Sequence, residues 1–304
     1  MDDNKDVSYR SQVPGVAHAC GHDVHTTIVL GTALYFAHYR VQLPGPLRFV
    51  FQPAEERVPG GALDVIRDHG IHCEPKLDAS MIGLKSGSIS SAADMVCITL
   101  TRPGSQTARP ELTVDLLTIA AQVITELPRR VQAALPSDAE IKIVFGAMHW
   151  DDAANVIPTR CELRASVRTP MLKVWNALPG LVEECVAGLL DESLARFEVG
   201  YTHGVPLVVN DAAIIELVAS AVTEEFGADA IAPVQQSWCG DDFAWFTREV
   251  PGSYVRLGVH NAEANGPGLD LHAVHFDVDE RAIDLDIRLL FATTVASFKG
   301  GKTS

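Results

Sequence analysis

Apolar residues recur along this chain with two different periods, and the places where the period changes mark its elements. Over residues 24–40, VHTTIVLGTALYFAHYR, the side chains of Ile28, Leu30, Ala33, Leu34 and Ala37 fall at helical spacing. PLRFVFQP at 46–53 then reads as a short buried strand, GGALDVIRDHG at 60–70 as a helix closed by Gly70, and DASMIGL at 78–84 as a second strand. The opening third is therefore predicted to be α/β.

From residue 94 the pattern runs strand (DMVCITLT), helix (LTVDLLTIAAQVITEL), strand (EIKIVFGAM), strand (RCELRASVR), helix (LKVWNALPGLVEECVAGLL) and strand (RFEVGYTHG). This β-α-β-β-α-β order closes as a small sheet with two helices on one face, so 94–207 is expected to be an inserted domain. After VVND at 208–211 the α/β character returns, with a helix over 212–226, a short helix in DDFAWFTREV, a strand in SYVRLGV and a last helix from Glu280 to about Phe298. The expected organisation is 1–93 and 208–304 as two parts of one domain, interrupted by 94–207.

Composition narrows the function classes. The 304 residues are 47% hydrophobic and 21% charged, which a folded globular chain requires and a disordered one lacks. A formal charge of −15 would repel phosphate backbones and anionic lipid surfaces, so nucleic acid and membrane are poor partners. Six scattered cysteines without CxxC pairs suggest neither a zinc ribbon nor a secreted disulfide framework. MDDNKDVSYRSQ has no basic or apolar leader region, and no apolar run reaches the ~18 residues of a membrane span, so a cytoplasmic location is expected.

Candidate chemistry concentrates in three places. His18-Ala19-Cys20-Gly21-His22-Asp23-Val24-His25 packs three imidazoles, a thiol and a carboxylate into eight residues before an apolar helix. Cys20 and His22 alternate, so a turning segment could aim both at one metal, with Asp23 or a carbonyl orienting an imidazole. Phe51-Gln52-Pro53-Ala54-Glu55-Glu56 offers two adjacent carboxylates, one able to ligate a metal and the other to act as general base. Leu269-Asp270-Leu271-His272-Ala273-Val274-His275-Phe276 adds two imidazoles, of which His275 is read as packed or surface.

Together HACGHDVH, FQPAEE, NVIP, GDDFAWF and LHAVHF resemble the metal-dependent amidohydrolases of the M20 peptidase family, in the branch of aminoacylases, hippurate hydrolases and indole-acetyl-amino-acid hydrolases. The resemblance implies a catalytic α/β domain of the zinc-exopeptidase type with an inserted ferredoxin-like lid that mediates a homodimer. It implies Cys20, His22, Glu56 and His272 as ligands of one or two divalent ions (Zn, Mn, Co or Ni), and Glu55 as catalytic base. Asn155 and Arg168 resemble lid positions that face substrate. The implied reaction hydrolyses a small N-acyl amino acid through a metal-activated water. Nucleophilic catalysis by Cys20 ranks low, since ligands rather than a poised Cys-His pair surround it.

Three departures qualify that expectation. Where the family has Gly-Leu-His with a metal-binding imidazole, this chain has Gly83-Leu84-Lys85, and an ammonium has no lone pair to donate. Where the lid carries Gly-Gly-His, Gln106 follows Gly104-Ser105, keeping a hydrogen-bond donor for the substrate but no positive charge. Only VPGVAHACGHD of the family's opening strands precedes α-helical sequence, so the first part of the catalytic domain is expected to be incomplete. Two rival readings follow: a degenerate, non-catalytic relative that binds an acyl amino acid or a partner, and a dipeptidase using Asp241 or Asp242 to hold a free amine.

Overall fold

The computed structural model describes residues 3–300 apart from 57–59, 63–69, 151–152, 192, 194, 262–269 and 274. The first described element is helix α1 (His22–Tyr39), followed by strands β1 (Gly70–Asp78), β2 (Ile82–Leu84) and β3 (Gly87–Ser88). Next come β4 (Ala92–Thr101), β5 (Ser105–Gln106), α2 (Leu116–Ala134), β6 (Lys142–Trp150), β7 (Val156–Ile157), β8 (Arg160–Thr169), α3 (Leu172–Leu190) and β9 (Arg196–Val205). The chain closes with β10 (Val209–Asn210), α4 (Ala212–Phe226), β11 (Ile231–Pro233), α5 (Ala244–Glu249), β12 (Tyr254–His260) and α6 (Arg281–Gly300).

The middle of the chain matches its sequence pattern closely. Four antiparallel strands lie in the order β6-β8-β4-β9, and α2 and α3 pack on one face of them. Leu116, Ile119, Ala120, Val123, Leu127 and Val131 form the buried stripe of α2 against Ile98, Leu100 and Leu163 of the sheet. Each fully buried leucine or valine there contributes about 1.5–3 kcal/mol. The sequence pattern ends this helix at Leu127, before Pro128, yet it continues to Ala134 because burial of Val131 holds the last turns. It starts at Leu116 rather than earlier because Asp115 caps it, accepting from Leu117 N and Thr118 N at 3.1 and 3.3 Å.

That cap carries a measurable share of stability. Asp115→Ala is expected to cost about 1 kcal/mol in urea denaturation at neutral pH. Bonding from Thr118 holds the Asp115 pKa below the usual carboxylate range, so the cap acts above that range and is lost as pH falls through the depressed value. An unchanged midpoint at neutral pH would refute the assignment.

The flanking segments build a second sheet, β1-β12-β2-β11, in which β1 runs parallel to β12, β12 antiparallel to β2, and β2 parallel to β11. Helices α1 and α6 cover one face through Ile28, Leu257, Val259 and Ala282, and α4 adds Val218 and Val222 against Ile82 and Leu289.

Four expectations change here. PLRFVFQP at 46–53 forms no ladder: Phe49 instead packs on Phe36 of α1, with ring centroids 6.4 Å apart. Residues 63–69 of the expected helix lie outside the described residues, and Gly70 begins a strand instead of closing a helix. The expected strand at 78–84 is the end of β1, a turn and β2. Helix α1 starts two residues early and buries Val24, Ile28, Thr32 and Phe36, leaving Leu30 and Leu34 51% and 61% exposed, because α6 lies against the first stripe.

Candidate metal centre

The HACGHDVH segment turns sharply before becoming helical. Gly21 has φ 86°, and a Cβ there would stand 2.7 Å from Cys73 Sγ, so handedness and space both require glycine. The turn sets Cys20 ahead of α1 and His22 at its first position. The other two imidazoles point elsewhere. His25 Nε2 accepts from Cys73 N at 3.0 Å, and burial holds its pKa well below the ordinary value, so it is a neutral core group. His18 is exposed, 3.7 Å from Asp23.

Two further loops arrive with unusual backbone. Ala54, just before the paired glutamates, and His272 both have φ 62°, a left-handed conformation that costs a non-glycine residue about 1–3 kcal/mol. His272 is held there by its own amide, which donates to Ala19 O at 2.6 Å.

Five candidate side chains meet as a result. His22 Nε2 lies 3.3 Å from Glu55 Oε2 and 4.0 Å from Glu56 Oε1, and His272 Nε2 lies 3.9 Å from Glu56 Oε1. Donor atoms of Cys20, Glu56 and His272 are within 4.8 Å of one another, as are those of His22, Glu55 and Glu56, so Glu56 belongs to both sets. His22 Nε2 is buried but not aligned for a hydrogen bond to its neighbour, which leaves that ring nitrogen unpartnered. An orphaned imidazole nitrogen among a thiol, carboxylates and a second imidazole fits a divalent ion of the transition series.

Burial raises the Glu55 pKa, His22 opposes that shift, and the Asp241 carboxylate adds to it. His22 is in turn raised by Glu55. Asp241 and Asp242 approach Glu55 to within 4.8 Å. Asp241 accepts from Phe243 N at 2.8 Å and from Tyr254 Oη, while Asp242 accepts from Gln52 Nε2 at 2.6 Å and Ala62 N at 3.0 Å. Burial pushes Asp242 up to about 6. Gln52 thus ties the FQPAEE loop to the GDDF loop.

Cys20 Sγ lies 3.3 Å from His72 Nε2, a contact that the sequence reading does not contain. Burial, then Glu56, pushes the Cys20 thiol up, and burial, then Arg256, lowers His72 to about 3. The pair has a dyad's distance but neutral partners, so a nucleophilic thiolate is disfavoured.

None of the described contacts joins the remaining candidates to this cluster. Lys85 Nζ donates to Ser86 O at 3.5 Å, and its own carbonyl accepts from Asn210 Nδ2 at 2.8 Å. Gln106 is exposed in the short β5–β7 ladder opposite Val156, and the exposed Asn155 accepts from Thr107 N at 3.2 Å. Arg168 Nη1 donates to Trp238 O at 2.9 Å, joining the β4–β9 sheet to the GDDF loop. His275, expected to be packed or at the surface, is exposed. A cavity of about 510 Å³ between Asp78, Phe226, His260 and Arg288 lies at the opposite end of β12 and includes none of these residues. No described helix is long and apolar enough to cross a membrane.

Known proteins with this pattern are numerous. The model of peptidase family M20/M25/M40 matches residues 1–294. A Rhodococcus jostii protein named as a glutamate–cysteine ligase is 36% identical over 94% of this chain, which spans only 37% of its length. The N-acetylcysteine deacetylase of Bacillus subtilis is 28% identical over 93% of this chain and 74% of its own. Among solved structures, the Bacillus subtilis YXEP protein, described as a dinuclear metal-binding peptidase from the M20 family, superposes with a TM-score of 0.81. Its sequence identity is 25%, covering 98% of this chain and 78% of that one.

Proposed function

The chain belongs to peptidase family M20/M25/M40, and from that premise we propose that it is a metal-dependent hydrolase of the amide bond in N-acyl amino acids. The observation that carries this reading is the convergence of Cys20, His22, Glu55, Glu56 and His272 from three distant segments around an unpartnered imidazole nitrogen. The deacetylase name of a relative and the metal-binding description of a structural neighbour support it.

Cys20, His22, Glu56 and His272 would hold one or two divalent ions. Such an ion supplies Lewis acidity, polarising the amide carbonyl and acidifying water. Glu55 does the proton work: its carboxylate accepts a proton from the attacking water and returns it to the departing amine nitrogen as the C–N bond breaks. Its raised pKa makes it a stronger base than an exposed glutamate. Asp242 and Gln52 hold the Glu55 loop in place from behind. Arg168, Asn155 and Gln106 are assigned to the substrate from the lid, 94–207. Exposed Val144 and Trp150 on edge strand β6 support a homodimer through that unit. A cytoplasmic location completes the reading.

The test is release of free amino acid from a panel of N-acyl amino acids after loading with Zn, Mn, Co or Ni. Turnover that disappears with a chelator and returns with metal is the expected result. Negligible metal uptake with no turnover would favour the degenerate relative. The crowding of Glu55, Asp241 and Asp242 favours one second reading, a dipeptidase, and turnover of free dipeptides above their N-acetyl counterparts would establish it.

A further inference from the structure

Strand β12 divides its side chains between two faces of the sheet. Val255, Leu257 and Val259 enter the core under α1, α4 and α6, so Tyr254 and Arg256 stand on the opposite face. The centre adjoins that face. His72, in register with Arg256 on β1, meets Cys20, and Tyr254 Oη donates to Asp241, which comes within 4.8 Å of Glu55. Arg256 is 4% exposed, yet among the described residues its guanidinium makes no ion pair and no hydrogen bond. The Tyr254 ring, with its centroid 5.1 Å from Arg256 Cζ, offers attraction but no acceptor. Asp241 is engaged instead by Tyr254 Oη and Phe243 N. No guanidinium nitrogen is among the fully enclosed, unpartnered polar atoms, so the little exposure that Arg256 keeps includes its charged end.

A buried charge without a partner is rare in a folded chain, because its desolvation is offset only by an opposite charge or by acceptors. The planar fork of a guanidinium matches a carboxylate, which accepts two of its N–H groups side by side. A second cation starts alongside: Asn210 Nδ2 donates to both Lys85 O and Tyr254 O, at 2.8 and 2.9 Å, and Lys85 has no ion pair among the described residues. We propose that Arg256 forms a carboxylate subsite beside the centre, and that it takes the free carboxylate of an N-acyl amino acid. For the identity of that ligand the inference rests on the amidohydrolase reading above. Arg256 is then a specificity-determining residue, demanding a negative charge at the end of the substrate remote from the acyl chain. The acyl carboxylate released by hydrolysis is the other source of the same chemistry.

The test is equilibrium binding to the whole protein by titration calorimetry, with probes that cannot be cleaved. Levulinate is N-acetylglycine with a methylene in place of the amide nitrogen, and its methyl ester lacks only the charge. The wild type is expected to prefer levulinate over the ester, and Arg256→Met, which keeps an unbranched stem, to reduce that preference by about 10–100-fold. Arg256→Lys keeps the charge without the fork and should recover part of it. A wild type without the preference overturns the inference, whether or not the protein hydrolyses N-acyl amino acids. So does a preference that survives Arg256→Met, or an equal loss of both probes in the Met and Lys variants, since packing would then explain it. Acetate that binds as tightly as levulinate, with the same dependence on Arg256, overturns the assignment to substrate in favour of the released acid. An Arg256-dependent preference in a protein that turns over no N-acyl amino acid supports the subsite and removes the hydrolase reading alone.

Discussion

Replacing Glu55 by Gln is expected to lower kcat for amide hydrolysis by about 10²–10⁴-fold while leaving metal content unchanged. Gln keeps the shape of the side chain beside His22, 3.3 Å away, but cannot accept a proton from water or deliver one to the leaving nitrogen. Glu55 is not among the proposed ligands Cys20, His22, Glu56 and His272, although it stands within 4.8 Å of His22 and Glu56, so metal retention separates a lost base from a lost ligand or a collapsed site. Metal analysis and steady-state kinetics on the same preparation decide the matter. Turnover that survives the substitution would remove Glu55 from the mechanism.

The second large effect concerns a carboxylate outside the proposed ligand set. Asp286 on α6 is fully buried, and neither of its oxygens has a hydrogen-bond partner among the described residues. Burial pushes its pKa from the ordinary 3.8 up to about 8. Below about pH 4 the group is protonated whether the chain is folded or not, and stability is unaffected. As pH rises the unfolded chain ionises while the folded one stays protonated, so stability falls by about 1.4 kcal/mol per pH unit until the folded pKa is passed. Asp286→Asn imitates the protonated acid and should abolish that slope. Its urea midpoint is expected to match the wild type below about pH 4 and to exceed it clearly near about pH 8. Parallel pH profiles for the two proteins would show that Asp286 ionises freely in the folded state.

Much of this molecule was legible from spacing alone. The four-stranded sheet with α2 and α3 has strict alternation in β4 and β8 and a helical stripe in α2, and each short-range signal agrees with the final fold. Cys20, His22, Glu55, Glu56 and His272 were legible for a different reason, the resemblance of short motifs to one family. Strand β1 was not. It reads GIHCEPKLD, with Pro75 inside it and both His72 and Cys73 buried on opposite faces, so no alternation marks it. The segment 46–53 misled in the opposite sense, because apolar residues that pack side-on against a helix look like those of a strand. His72 was invisible because its meaning depends on a contact with a residue 52 positions away, and no local pattern encodes that.

The amide of His272 bonded to the carbonyl of Ala19 has a temporal consequence. Donors from residues 20, 56 and 272 close around one point, so a chain emerging from its N-terminus carries Cys20 and Glu56 through most of synthesis without their third companion. Contacts this distant in sequence form late, since loop closure must precede any gain from them. Metal capture would therefore report completion of the fold, and a nascent chain halted before residue 272 would hold its thiol but not the ion.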